Sequence, residues 1–157
     1  MIDILKLSVQ LYAPELVCVL LMCLLLVAEA MHHEEGTDRT KVYLLATLGL
    51  VVTAGLLIMN LGAAPSAAFY NAVVIDSFGT LMKLIMVLGT LGALWLAHSS
   101  KDIYRNLKSE FAVLAAGTLI GGMLLASANN MLTLYLGIEI LSILSYVMTS
   151  LKREDAT

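Results

Sequence analysis

Apolar residues run along this chain in long stretches rather than at alternating spacing. Five stretches, near the ~20 residues needed to cross a bilayer core, fall at 12–31, 42–62, 76–98, 110–127 and 131–151. The second is the cleanest, with nothing charged from Val42 to Gly62, and the fourth, from Glu110 to Ser127, is the shortest and the richest in small residues. In lipid only helices and closed barrels satisfy their own backbone groups, and the alternation of barrel strands is absent. The pattern therefore predicts an all-α integral membrane protein: five helices in one membrane domain, 1–157, built to sit in a larger bundle.

Composition narrows the alternatives. Of 157 residues 60% are hydrophobic and 13% charged, against roughly 45–50% and about 25% in soluble domains. A soluble globular domain, a disordered tail, a disulfide scaffold and a basic nucleic-acid binder are all excluded. The nine Lys and Arg are unevenly placed. Lys6 stands alone on the side of the N-terminus, while Arg39, Lys41, Lys101, Arg105, Lys108, Lys152 and Arg153 lie on the other, and Lys83 is inside a span. That bias predicts an outside N-terminus and a cytoplasmic C-terminus, in agreement with an odd number of spans. The first apolar run contains Glu15 and lacks a clear small-residue cleavage site, so it is read as a span rather than a signal peptide.

Cys18 and Cys23, five residues apart on one helix, point to different faces and are read as packing residues. The run His32-His33-Glu34-Glu35 is not read as a metal site, because adjacent residues of a connector rarely converge on one ion. A phosphate-cradling glycine loop, a CxxC framework and a paired-histidine haem site are all missing. No redox cofactor is expected on this chain.

Charges inside spans are expensive, at least ~2.5–3.5 kcal/mol at a helix centre, and two stand out: Lys83 and Glu139. Glu15, Glu29, Asp76 and Glu110 sit near span ends, where snorkelling or a helix terminus is a sufficient account. Glu15, following Pro14, is read as a carboxylate stabilised by a helix N-terminus. Counting 1.5 Å per residue from the outer side, Lys83 is about 10 Å deep and Glu139 about 12 Å. They pair, directly or through water, if the third and fifth helices are neighbours, which sequence leaves open.

Glu139 has polar company on its own helix. At 100° per residue Tyr135, Ser142, Tyr146 and Thr149 fall within about 80° of it. Such a stripe suits a proton relay; it equally suits interhelical hydrogen bonding. Gly117 and Gly121 form a small-xxx-small pair for close helix packing, with Gly122 beside them and Gly49, Gly55, Gly89 and Gly92 smoothing other spans. The uncharged segment 63–74 is assigned to the outer surface, where Phe69 and Tyr70 suit an interface.

The run Leu125-Ala-Ser-Ala-Asn-Asn-Met-Leu-Thr-Leu-Tyr-Leu-Gly-Ile-Glu-Ile-Leu-Ser-Ile-Leu-Ser-Tyr-Val147 resembles the start of the proton-antiporter domain of respiratory complex I. Ala13-Pro14-Glu15-Leu16 and Val73-Val-Ile-Asp-Ser-Phe78 followed by Lys83 are also similar to its subunit N, the counterpart of mitochondrial subunit 2. The resemblance runs nearly end to end, and Tyr135 to Ser142 is its specific part. It implies a multi-pass subunit of the bacterial inner membrane, placed in the membrane arm of NADH:quinone oxidoreductase, where antiporter-like subunits move protons with energy from quinone reduction elsewhere. NADH, flavin, iron–sulfur clusters and quinone are then expected on other subunits, and the partners are other membrane-arm subunits, including antiporter-like ones, and lipid.

In that family a glutamate on the fifth helix, matched by Glu139, is thought to tune the proton affinity of a lysine on a later, broken helix. Family members have many more helices than five, so that lysine would lie beyond Thr157. The chain is read as the N-terminal part of a longer subunit, a split-gene product or a truncated chain. Three functions follow: a proton-translocating component with Glu139 and Lys83 as its charges and Tyr135, Ser142 and Tyr146 as a polar relay; a non-transporting scaffold or assembly subunit in which Glu139 and Lys83 only lock helices together; or a subunit of a related cation/proton antiporter complex.

Overall fold

The computed structural model describes residues 9, 12–31, 40–62, 64–99 and 105–150. The run 32–35 lies outside them. Five helices carry the fold: α1 (Ala13–Met31), α2 (Thr40–Asn60), α3 (Ser77–Ser99), α4 (Arg105–Ser127) and α5 (Met131–Ser150). All five contain a stretch long and apolar enough to cross a membrane. α4 starts ahead of its apolar stretch, because Arg105, Asn106 and Lys108 put a polar first turn before it.

Helix starts are fixed locally. Pro14, with no N–H to lose, sits in the first turn of α1. The Asp76 carboxylate accepts the Gly79 N–H at 2.8 Å and its carbonyl accepts the Thr80 hydroxyl at 2.7 Å, capping α3. Asn130 caps α5, its side-chain oxygen accepting the Thr133 N–H at 2.7 Å. Asp76→Ala is expected to cost about 1 kcal/mol, seen as a lower unfolding midpoint in detergent with unchanged helix content.

α4 is the centre of the bundle and packs against all four other helices, while α1 packs on α2 and α2 on α3. Its small residues permit this: Ala112, Ala115, Ala116, Gly117, Gly121 and Gly122 are all buried. The α4–α5 crossing is the tightest. A Cβ on Gly137 would stand 3.1 Å from the Leu125 backbone nitrogen and 3.2 Å from the Gly121 carbonyl oxygen, and one on Gly121 would stand 2.9 Å from Ile140. Gly117 faces Leu144 in the same way, at 2.8 Å, so the small-xxx-small pair is an α4 face against α5. α5 packs on α4 and little else. α3 and α5 instead flank an open apolar groove of about 410 Å³ across α4, lined by Met86, Thr90, Ala115, Gly122, Leu141 and Met148 among others.

The connection between α2 and α3 departs from the all-helical expectation locally. β1 (Ser66–Ala68) and β2 (Val73–Ile75) pair antiparallel, Ser66 opposite Ile75 and Ala68 opposite Val73. Three consecutive non-glycine residues, Phe69, Tyr70 and Asn71, turn the hairpin with left-handed φ of 51°, 55° and 64°, each costing about 1–2 kcal/mol. Contacts with the α4–α5 turn offset that strain. Asn129 donates its backbone N–H to Ala72 and its amide to Asn71, at 3.1 and 3.0 Å, and Val73 bridges to Ala128. Phe69 meets Tyr12 edge to face at 5.4 Å, while Ala68, Val73 and Ile75 are buried with Tyr12 and Leu124 against them. Tyr70 is almost fully exposed at the tip. The hairpin therefore closes one end of the bundle, the end where α1, α3 and α5 begin.

Candidate functional site

Two polar sites lie toward the hairpin end, on opposite sides of α4. The first is buried. Lys83 occupies the inward stripe of α3 with Thr80, Val87 and Leu94, and it is 1% exposed. Side chains on a helix tilt toward its N-terminus, so the lysine stem climbs toward the hairpin. Its ammonium donates to Oε1 of Glu15, which is 4% exposed in the first turn of α1. Lys83 Nζ also lies 5.9 Å from the centre of the Tyr12 ring, within cation–π range. Glu15 Oε2 is buried and has no hydrogen-bond partner among the described residues.

This placement corrects the local account of Glu15. It does sit in the first turn, but its carboxylate is spent on a cation from another helix. It also answers the open question of Lys83, whose acidic partner is Glu15 and not Glu139. The reason is packing: α3 and α5 are separated by the groove on α4, whereas α1 and α3 both lean on α4. One turn along α1 the Cys18 thiol, also buried, lies 3.5 Å from the Thr53 hydroxyl, while Cys23 faces out.

The second site is open. Glu139 is half-buried on α5, with Tyr135 one turn before it on the same face. No basic side chain pairs with it among the described residues. Ser142 is half-buried, whereas Tyr135 and Tyr146 are 58% and 72% exposed. The Thr149 hydroxyl turns back to the Tyr146 carbonyl at 2.8 Å. The stripe read from the sequence is thus a single helix face, directed away from the four-helix packing. Its opposite face, with Thr133 and Gly137, is the one buried on α4. Among the described residues no interhelical hydrogen bond uses it. A carboxylate at this depth in lipid would be costly, so the face suits contact with protein or water.

Among the described residues no group of three or more His, Cys, Asp or Glu is placed to hold a metal ion.

Comparison with known proteins places the chain beside one kind of subunit. It is 32% identical over 149 residues to NADH-quinone oxidoreductase subunit N of Magnetococcus marinus, covering 94% of this chain and 30% of that protein. The same subunit of Methylobacterium nodulans is 31% identical over 142 residues, 90% of this chain and 29% of the relative. That of Nitrosomonas europaea is 31% identical over 146 residues, 91% and 29%. No protein-family model matches. The chain spans about 30% of the length of these curated relatives, and its resemblance to an N-terminal part of subunit N holds over nearly all of its own length.

Proposed function

We propose, from this likeness to subunit N and from the placement of Glu139, that the chain is a membrane-arm subunit, or the N-terminal portion of one, of a proton-translocating NADH:quinone oxidoreductase. In this reading the complex resides in a bacterial inner membrane, the redox cofactors are held by other subunits, and Glu139 is the coupling carboxylate. The observation that carries it is an acid at membrane depth on an outward face, with Tyr135 one turn away and no cation paired to it among the described residues. Such a group can tune the proton affinity of a lysine brought against it by another helix, since a nearby carboxylate favours the charged form and its withdrawal favours release. Tyr135, Ser142 and Tyr146 would line that contact as hydroxyl relays.

The scaffold reading has one observation in its favour, the buried Lys83–Glu15 pair, which links two helices without facing any open path. Glu139→Gln separates the two. In the complex purified from its own membranes, it is expected to lower proton pumping by ~100-fold, the lower end of what one positioned proton-transfer group contributes, with subunit content unchanged. Normal pumping at normal assembly would overturn the transport reading.

A further inference from the structure

We propose that the pocket between the start of α2 and the end of α3 is a binding site for one membrane phospholipid, whose glycerol ester carbonyl accepts a hydrogen bond from the Tyr43 hydroxyl. The site lies at the end of the bundle away from the hairpin and is independent of the transport reading.

The pocket encloses about 300 Å³ and is lined by Tyr43, Leu44 and Thr47 of α2 and by Leu94, Trp95 and His98 of α3. Tyr43 is 6% exposed, and its hydroxyl is buried with no hydrogen-bond partner among the described residues. A buried donor left without an acceptor is costly, so the site calls for a ligand oxygen. Its neighbours do not supply one. The Thr47 hydroxyl is turned back to the Tyr43 and Leu44 carbonyls, both at 3.0 Å. His98 offers its ring to the Tyr43 ring, with centroids 5.1 Å apart and planes tilted by 44°. That exposed imidazole forms the outer wall of the pocket, where a side chain yields to an incoming group without disturbing the helices.

Depth and shape select the ligand. The membrane-crossing stretch of α2 begins at Val42 and that of α3 ends at Ser99, so Tyr43 stands at the edge of the hydrocarbon. Its side chain leans toward the N-terminus of α2 and hence toward the interface. Trp95, exposed beside it, is a residue type that marks this level in membrane proteins. The ester carbonyls of a phospholipid lie in the same band, between hydrocarbon and headgroups. Leu44 and Leu94 continue the wall with apolar surface, which suits an acyl chain. Water or a small polar solute would satisfy the hydroxyl and leave that wall uncovered. A transmembrane helix fits poorly, because close approach needs small residues and here Leu44, Leu48 and Trp95 stand out around the pocket. A flexible chain with a carbonyl at its head meets both demands.

The test uses the complex purified from its own membranes, stripped of lipid with detergent and titrated with a diacyl phosphatidylethanolamine that carries a diazirine near the head of one acyl chain. Photolysis followed by peptide mass spectrometry is expected to place the label on the pocket residues of α2 and α3. Dioleoyl phosphatidylethanolamine is expected to compete ~5-fold better than its dialkyl ether analogue, which keeps headgroup and chains but has no ester carbonyl, the scale of one neutral hydrogen bond. In Tyr43→Phe, which keeps the ring and loses the hydroxyl, labelling is expected to fall by the same ~5-fold and the two lipids to compete equally. Equal competition in the unaltered protein would show that the hydroxyl meets no carbonyl, and label spread evenly along the outer faces of α2 and α3 would show annular lipid only; either overturns the proposal. A pocket that takes no label in the complex, because another polypeptide covers it, overturns it as well. If Tyr43→Phe does not assemble, the comparison of ester with ether lipid on the unaltered complex decides.

Discussion

Lys83→Met is expected to destabilise the folded bundle by about 3–5 kcal/mol, while Glu15→Gln/Lys83→Met recovers most of that loss. The asymmetry follows from burial. Lys83 and Glu15 are both almost wholly enclosed, so removing the ammonium strands a carboxylate that already has one oxygen without a partner. Methionine nearly fills the lysine volume and leaves no cavity to add to the cost, which isolates the charge effect. In the double variant neither charge remains, and the amide and thioether pack where the ions were. α1 and α3 share no extensive packing with each other, so the pair is the main link between their hairpin ends. The measurement is unfolding of the purified protein in detergent, followed by helix content, for the two single variants and the double. Additive losses would show that the two side chains act independently and that the pair is not a unit. An unaltered midpoint for Lys83→Met would show that the ammonium contributes nothing to stability.

The sequence made the helices legible and left their partners illegible, and Glu15 shows why. Five uninterrupted apolar stretches identify five helices because lipid forbids unsatisfied backbone. The same uniformity hides which face of each helix turns inward. α1 carries Cys18, Leu21 and Leu25 on its buried side and Leu20, Leu24 and Val27 on its exposed side, and no polarity distinguishes them. A glutamate in a first turn has a sufficient local explanation in the helix N-terminus, which conceals any need for a partner. The signal that could have found the pair is the level of the charged atoms rather than of the backbone. A lysine stem reaches roughly 6 Å and tilts toward its helix N-terminus, which lifts an ammonium rooted ~10 Å deep to the level of the first turn of α1.

The hairpin was hidden for a different reason. Its turn residues, Phe69, Tyr70 and Asn71, include no glycine, and the left-handed conformation is imposed by the Asn129 contacts and the packing beneath it rather than announced by turn chemistry. Glu139 and its stripe were legible because period 3.6 fixes neighbours on one helix whatever surrounds it. What the stripe faces depends on the α4–α5 crossing, and that crossing was only half written. Gly117 and Gly121 advertised close packing on α4, but the glycine that receives the backbone of α4 is Gly137, inside the segment read for its glutamate.

Gly137→Leu is therefore expected to be the most damaging single apolar substitution on α5. Even the Cβ would stand 3.1 Å from the Leu125 nitrogen and 3.2 Å from the Gly121 carbonyl oxygen. Both are backbone atoms and cannot rotate aside, so the helices must separate along the whole crossing. Overpacking usually costs about 1–3 kcal/mol, and here that is compounded by the loss of the Ile140, Leu141 and Leu144 contacts on Gly121 and Gly117. α5 is held almost entirely by α4, so a helix displaced there has no second surface to fall back on. Glu139 lies two residues on, and rotation or displacement of α5 moves it with the helix. The expected result is a chain that still inserts as five spans but in which α5 is protease-accessible. In the assembled complex pumping is lost along with subunit content, unlike Glu139→Gln, where content is kept. Gly137→Ala, whose single methyl needs only a few tenths of an ångström, is expected to retain most of the assembly. An assembled, fully active Gly137→Leu complex would show that the α4–α5 contact neither orders α5 nor fixes the position of Glu139.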